Sequence, residues 1–244
     1  MRETTEFHTG ILRFTLGVEE SRTYWSATTP GQEISIDDAY ESSWFGHKSQ
    51  ATVGLILVNM RRRYAAFPEA LRVLHAWDDI DLPTARLICH WHTQMSDPLY
   101  RSFSTWVARQ RLVGPGTLRR HDVLRWIEAE HPGRWATTTQ VTCSSKLLAA
   151  CFEAGLISSR RDPRPLTCPR VPDDALTYLL YLLRQVTFQG DMVNNPYLES
   201  VGLDAGLLAD RVRHLNGVQL NRQGDLSELA FAAPDLKTWA GSPP

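Results

Sequence analysis

Apolar residues return every three or four positions through most of the chain, and this period is typical of amphipathic α-helices. The clearest stripe in the first half is formed by Val53, Leu57, Met60 and Tyr64, in a helix for which Ser49 is the predicted N-cap. Prolines suited to the first turn of a helix predict further helices that begin near Pro68, Pro83 and Pro98. The pattern therefore predicts a mainly α, multi-helical fold.

The segment Val113-Gly114-Pro115-Gly116 is the clearest linker in the sequence. We therefore predict two helical domains, an N-terminal one over residues 1–113 and a C-terminal one over residues 114–244. Within the second, the run ALTYLLYLL from Ala175 is apolar almost all round, which predicts a helix buried between other elements.

Residues 135–170 predict a helix followed by a hairpin with a basic tip. The threonines at its start are candidate N-caps, and Gly155 lies where a left-handed residue would end the helix. The predicted apolar stripe is Val141, Ser144, Leu148, Cys151 and Phe152. The opposite face would carry Thr139, Thr142, Lys146, Ala149 and Ala150. With a preceding helix at 117–130, this order predicts a winged helix-turn-helix-like unit over about residues 117–170.

A similar order near the C-terminus predicts a second winged-helix-like unit over about residues 195–232. Two short helices, one opened by Asn195-Pro196 and one capped by Asp204, precede a hairpin with Gly224-Asp225 at its turn. The exposed side of this unit mixes acids and cations, so we favour a structural or protein-contact role for it. Residues after Pro234 are expected to form a frayed tail.

Charge is distributed unevenly along the chain, although the net charge is only -1. Residues 101–170 carry twelve Arg and Lys against five Asp and Glu, a net charge of +7, which leaves -8 for the remaining residues. A basic block in an otherwise acidic chain is expected of a surface that binds a polyanion. The alternative is that the basic block complements acidic residues of the neighbouring domain.

The predicted DNA contacts come from the first unit and from one arginine run in the first half of the chain. The arginines of the predicted wing, Arg160, Arg161 and Arg164, would reach phosphate or the minor groove. Thr142 and Lys146 would face the major groove. Helix N–H groups and the neighbouring threonines would hold a phosphate. The predicted DNA-binding residues are Arg160, Arg161, Arg164, Lys146, Thr139, Thr142, Thr137, Thr138, Arg134, Arg119, Arg120, Arg61, Arg62 and Arg63. For the run at 61–63, the alternative is that its cations offset the negative end of a helix.

None of the catalytic signatures GxxxxGK[ST], GxGxxG, GxSxG or HExxH occurs in the sequence, so we predict a non-enzyme that needs no cofactor. Cys89, His90 and His92 would not share one face of a helix, so we expect a packed cysteine with surface histidines and no metal site. The cysteines lack paired spacings, and no apolar run approaches the roughly 20 residues that span a bilayer. With a polar N-terminus, these features predict a cytoplasmic protein with no membrane association and no small-molecule substrate.

The order and spacing of several short motifs resemble the BrxA family of the BREX (bacteriophage exclusion) phage-defence systems. The resemblance extends from about residue 16 to about residue 232. The motifs that carry it are Glu20-Ser21, KSQATV at Lys48 with RRRY at Arg61, WATTT at Trp135, LLAACFEAGLI ending at Ile157, the polar insertion before Pro169, the YLLYLL helix and GVQLNRQGDL at Gly217. One departure is that Gly54 and Leu55 stand where relatives tend to carry another Arg.

The resemblance implies a bacterial antiviral-defence protein, all-helical with winged-helix features, that binds double-stranded DNA without known enzymatic activity and acts beside other BREX proteins. It identifies no wing residue, so the role of the wing arginines is predicted from charge alone. Because the predicted recognition helix has few base-reading side chains, we expect weak sequence preference and affinity dominated by counterion release. Two alternatives stay open: a protein-interaction scaffold of the defence complex, and a winged-helix transcriptional regulator of its operon.

Overall fold

The computed structural model describes residues 1–28, 31–32, 34–223 and 226–241, without the side chains of 222, 223, 226 and 227. Thirteen helices and four short strands lie within these residues, which confirms the expected mainly α class. None of the described helices is long and apolar enough to cross a membrane.

The first seven helices are α1 Gly10–Arg13, α2 Val18–Ala27, α3 Ile36–Glu41, α4 Gln50–Tyr64, α5 Pro68–Ala76, α6 Leu82–Ser96 and α7 Pro98–Val113. The next six are α8 Arg120–Glu130, α9 Thr137–Glu153, α10 Asp173–Leu183, α11 Pro196–Ser200, α12 Ala205–Val212 and α13 Leu236–Ala240. The strands are β1 Thr117–Leu118, β2 Arg164–Pro165, β3 Val218–Gln223 and β4 Leu226–Phe231.

Side-chain caps determine where several helices begin. Ser49 Oγ accepts a hydrogen bond from Thr52 N at the start of α4, as predicted. Asp81 and Asp97 cap α6 and α7 in the same way, and each is followed by a proline in the first helical turn. These signals are local, so the helix starts follow from the sequence.

Helix α6 lies at the centre of the fold. Every residue from Leu87 to Ser96 is buried, and α6 contacts α2, α4, α7 and α10. The expectation that His90 and His92 lie on the surface is wrong, because both are fully buried. Cys89 is buried, as expected.

The buried histidines of α6 are paired with hydroxyl groups of neighbouring helices. The two His90 ring nitrogens lie 2.8 Å from the Tyr100 hydroxyl and 2.8 Å from Ser200 Oγ. His92 Nε2 lies 2.7 Å from the Tyr178 hydroxyl. Burial lowers the pKa of both histidines to about 3, so both rings are neutral in the folded protein at neutral pH.

Two small antiparallel sheets accompany the described helices. β1 pairs with β2, with Thr117 opposite Pro165, and an isolated bridge joins Ile157 to Leu166. β3 pairs with β4 along the full length of both strands. The predicted turn at Gly224-Asp225 lies outside the described residues.

One hydrophobic core joins the parts of the chain on either side of Gly114. Helix α1 packs on α9, α6 on α10, α7 on α11 and α5 on α13. The Gly-Pro-Gly segment therefore connects elements that share a core, and the division into domains 1–113 and 114–244 stays a prediction.

The expectation of a frayed tail after Pro234 is wrong for the residues that the structure describes. Leu236 is fully buried at the start of α13. The Trp239 ring stacks on Tyr181 and meets Trp77 edge-on, with centroids 5.7 Å apart in both pairs. Five residues suffice for this helix because aromatic packing holds it in place.

Replacing Leu236 with alanine should lower the free energy of unfolding by about 2–5 kcal/mol, because the change leaves a cavity in the core. Lys237→Ala, at the exposed neighbouring position, is the matched control and should change it by less than about 0.5 kcal/mol. Urea unfolding followed by tryptophan fluorescence measures both variants. Equal effects of the two substitutions would contradict the packing of α13.

Lowering the pH should destabilise the folded protein through His90 and His92. In the unfolded chain each imidazole takes up a proton near pH 6.5, whereas its folded-state pKa is about 3, so the unfolded state binds more protons between these values. Above about pH 7 both histidines are neutral in the folded and the unfolded state, so the free energy of unfolding is not reduced by their protonation. This free energy should fall by about 1.4 kcal/mol per pH unit for each histidine as the pH drops below about 6.5.

Urea unfolding between about pH 5 and about pH 7.5 measures this dependence. His90→Gln should reduce the slope of the unfolding free energy against pH by about 1.4 kcal/mol per pH unit, which is the contribution of one proton. His47→Gln, at an exposed position, should leave this slope close to that of the wild type. Equal slopes for the wild type and His90→Gln would show that His90 is not a buried neutral group.

Candidate nucleic-acid interface

Helices α8 and α9 and the loop that follows α9 form the candidate site. α8 packs against α9, and residues 158–165, hereafter the wing, come after α9. Ser158 N donates to the Pro165 carbonyl at 3.1 Å, and Leu166 N donates to the Gly116 carbonyl at 2.9 Å. Backbone hydrogen bonds thus tie the wing to the segment that leads into β1 and α8.

The threonines occupy the first turn of α9 and not its N-cap. Ala136 holds the N-cap position, where no side-chain capping hydrogen bond forms. Thr137 and Thr138 are exposed, and Thr139 is half-buried. The predicted threonine cap is therefore wrong, and the first-turn N–H groups have no capping side chain from that position.

The packed face of α9 is broader than the predicted stripe, and two residues lie on the opposite side from the one predicted. Its buried residues are Cys143, Ser144, Leu147, Leu148, Ala150 and Cys151. Val141, predicted to point inward, is 39% exposed, and Ala150, predicted on the outer face, is fully buried. The difference arises because α1, α7 and α8 all contact this helix and cover a broad arc of it. Thr142 is exposed and Lys146 is half-buried.

Two arginines of the wing are exposed. Arg160 lies over the Phe152 ring, with its guanidinium carbon 4.7 Å from the ring centroid. Ser159 Oγ donates to the Arg161 carbonyl at 2.9 Å and accepts from Arg161 N at 3.0 Å, which closes a tight turn. Both residues are therefore exposed on a loop that its own hydrogen bonds support.

Arg164 has a different position from the other wing arginines. Its side chain is 7% exposed and forms an ion pair with Asp162, and its Nη2 donates to the Arg160 carbonyl at 3.0 Å. Burial and, to a smaller extent, the charge of Arg120 lower the pKa of the Arg164 guanidinium. The prediction that Arg164 contacts DNA is corrected, because this side chain supports the wing from inside.

The start of α8 lies beside the wing and carries two further exposed arginines. Arg120 N donates to Asp162 Oδ2 at 3.1 Å, so the backbone of α8 touches the wing directly. Arg119 N donates to Asp122 Oδ2 at 2.9 Å within the same turn. The structure therefore brings Arg119 and Arg120 to the same end of the unit as the exposed wing arginines.

Arg134 lies at the other end of α8, in the turn before α9. Its guanidinium stacks over the Phe7 ring at 3.8 Å from the centroid and lies 5.9 Å from the centroid of Trp135. Helix α9 is 17 residues long, which corresponds to about 25 Å. This exposed cation is thus close to the first turn of α9 and far from the wing.

The arginine run at the end of α4 belongs to a different part of the fold. Arg63 is buried and donates to the carbonyls of Thr15 and Leu16 at 2.9 and 2.6 Å. Arg61 also donates to a backbone carbonyl, and Arg62 is the exposed member of the run. The prediction that Arg63 contacts DNA is therefore corrected, because its guanidinium holds the chain that precedes α2.

Sequence reasoning missed the residue that ties α9 to the N-terminal segment. Glu153 accepts hydrogen bonds from Thr15 Oγ1 at 2.9 Å and from Gly17 N at 3.1 Å. Gly17 is the N-cap of α2 and has no capping side chain. A single glutamate near a helix end carries no local signal for a partner 136 residues away.

Within the described residues, no group of three or more His, Cys, Asp or Glu side chains could hold a metal ion. No family model matches the sequence, and no curated protein matches it either. The site is therefore defined by its own residues: exposed arginines at the wing and at the start of α8, and an open face on α9.

Arg164→Ala should lower the free energy of unfolding by about 1–3 kcal/mol, because it removes buried hydrogen bonds made by a charged group. Arg161→Ala, at an exposed position of the same loop, is the matched control and should cost less than about 0.5 kcal/mol. Chemical denaturation of both variants gives the comparison. A larger loss from Arg161→Ala than from Arg164→Ala would refute the assignment of the two side chains.

Proposed function

We propose that the protein binds double-stranded DNA without catalysing a reaction, as a component of a bacterial BREX phage-defence system. The observation that carries DNA binding is a group of four exposed arginines at one end of the unit: Arg119, Arg120, Arg160 and Arg161. They lie at the wing and at the start of α8, beside the C-terminal end of α9. Positive charge on a projecting loop beside an exposed helix suits the phosphate backbone of a duplex.

The order of elements supports a winged helix-turn-helix arrangement over residues 117–170. β1 precedes α8 and α9, the Ile157–Leu166 bridge follows α9, and β2 returns to pair with β1. In such units the second helix lies in the major groove while the first crosses the backbone. We therefore assign α9 to the major groove and the wing to the adjacent phosphates or minor groove.

This surface offers several possible phosphate contacts and few side chains that read bases, so we expect binding with little sequence preference. Its exposed side chains on α9 include Thr138 and Thr142, which are short and read bases poorly. Gln140, which could read adenine, already donates to Glu128 at 2.7 Å and to the Trp135 carbonyl at 3.2 Å. Binding should therefore depend mainly on phosphate contacts and on salt concentration.

For the C-terminal unit, which comprises α11, α12 and the β3–β4 hairpin, we propose a structural or protein-contact role. The Tyr181 hydroxyl of α10 donates to the Gly217 carbonyl at 3.2 Å and accepts from Ala233 N at 3.0 Å, which anchors the hairpin to the core. Its exposed Arg213 pairs with Asp210. Paired charges of this kind provide little excess positive potential for DNA.

The assignment to a BREX system rests on the resemblance of residues 16–232 to the BrxA family. In this proposal the protein acts in the cytoplasm beside the other defence proteins, and duplex DNA is its ligand. The exposed arginines support the DNA-binding part of the proposal independently of the resemblance.

Changing Arg160 and Arg161 together to glutamate should weaken binding to random-sequence duplex DNA by at least about tenfold, since it reverses two charges at the wing. Fluorescence anisotropy at several salt concentrations measures the affinity and its salt dependence. Arg72→Glu combined with Arg213→Glu makes the same change in net charge at exposed positions outside the basic block. This control should leave binding within about threefold of the wild type.

Equal affinities for the wing variant and the wild type would refute the role of the wing. A wild-type protein that binds no duplex at low salt would refute DNA binding altogether and favour the scaffold. Clear preference for DNA upstream of its own operon over random duplex would favour the transcriptional regulator.

A further inference from the structure

The most exposed large apolar side chains of the described structure lie next to each other at the end of α7. Leu112 is 86% exposed and Val113 is 82% exposed, whereas the other exposed large apolar residues range from 37% to 52%. Two adjacent apolar side chains with this exposure indicate a contact surface. These two residues are hereafter the knob.

Hydrogen bonds from the preceding residue hold the knob in place. Arg111 donates to the carbonyls of Thr167, Glu199 and Ser200 at 2.9, 3.0 and 2.5 Å. These bonds attach the end of α7 to the segment after the wing and to α11. An apolar pair on an anchored helix end loses little conformational freedom when it binds.

The knob lies at the opposite end of the β1–β2 pair from the wing tip. Arg111 contacts Thr167, Gly116 then accepts from Leu166, and further along the chain Arg120 N reaches the wing. The chain therefore runs from the knob toward the wing along one edge of β2. A partner on the knob would leave the wing accessible.

An open groove of about 940 Å³ lies between α4, α3 and the residues before α3. Its apolar lining is formed by Ile34, Ile36, Ala51 and Gly54. A Cβ atom at Gly54 would lie 3.3 Å from Ile36 Cδ1, so the glycine keeps space beside this isoleucine. This volume exceeds that of two aliphatic side chains.

The charges around the knob and the groove are opposite in sign. The exposed acids beside the groove are Asp37, Asp38 and Glu41, which outnumber the lining residue Arg61, whose guanidinium donates to the Ile34 carbonyl. Arg109 is exposed one turn before the knob, and Arg111 adds a second cation, with Glu199 as an acid nearby. The knob also belongs to the +7 block, whereas the rest of the chain carries -8. Opposite charges favour contact between knob and groove and disfavour contact between two knobs.

We propose that the knob of one copy of this chain inserts into the α3–α4 groove of a second copy. Because the two surfaces differ, the contact is heterologous and repeats from copy to copy without closing a twofold dimer. The surface buried is much smaller than the roughly 1,600 Å² of a standard interface, so the association is weak and depends on concentration and salt. The contact does not require DNA.

Sedimentation velocity of the full chain without DNA, from about 5 to about 200 µM, tests the proposal. The average mass of the wild type should rise beyond that of a dimer at low salt and fall at high salt. Leu112→Ser with Val113→Ser should abolish the rise, and so should Ala51→Arg, which places a second cation and a long side chain in the groove. Leu207→Ser and Ala66→Arg are matched controls at exposed positions elsewhere and should leave the rise unchanged.

A mixture of the knob variant and the groove variant gives the decisive comparison. The first keeps an intact groove and the second keeps an intact knob, so one contact can form and the mixture should yield dimers but nothing larger. A wild type that stays monomeric over the whole range would overturn the proposal, and so would variants that associate like the wild type. Because DNA is absent, these outcomes are independent of whether the protein binds DNA.

Discussion

The arrangement of the chain depends on pairing the polar side chains that α6 carries into the core. An unpaired buried polar group costs about 2–7 kcal/mol, so each buried imidazole needs a hydrogen-bond partner. His90 pairs with Tyr100 and Ser200 through both ring nitrogens, and His92 pairs with Tyr178 through Nε2 while its Nδ1 has no partner, at sequence separations between 10 and 110 residues. These partners come from α7, α11 and α10, so the network selects one relative placement of four helices.

The same core supports the candidate interface. Arg111 links the end of α7 to the Ser200 carbonyl, next to the hydroxyl that meets His90, and β1 and α8 follow shortly after. Close to this contact, Glu153 holds the end of α9 against the segment before α2. Because core contacts position the interface, its exposed arginines are available to contact a ligand, although Arg160 also packs over the Phe152 ring.

The features that were predicted correctly are those with local signals. Ser49 marks the start of α4, and the prolines near the starts of α5, α6 and α7 mark theirs. Errors arose where the outcome depends on distant partners: Arg63 fills a site made by backbone carbonyls of the N-terminal segment, and Arg164 turns inward toward Asp162. Helix α13 is too short to show a period, and Trp239 is held by rings from α10 and from the chain after α5.

Burial also reduces the number of cations in the +7 block, residues 101–170, that are available to a ligand. Three of its twelve cations, Arg101, Arg111 and Arg164, donate to backbone carbonyls within the fold. Eight others are exposed, but only four of these are at the wing and the start of α8. Each neutralised phosphate contributes about -0.9 to the slope of log affinity against log salt, so the proposed site would release about four counterions. A site with about four phosphate contacts would bind a duplex weakly by itself. Neighbouring copies on the same DNA would raise the affinity through avidity.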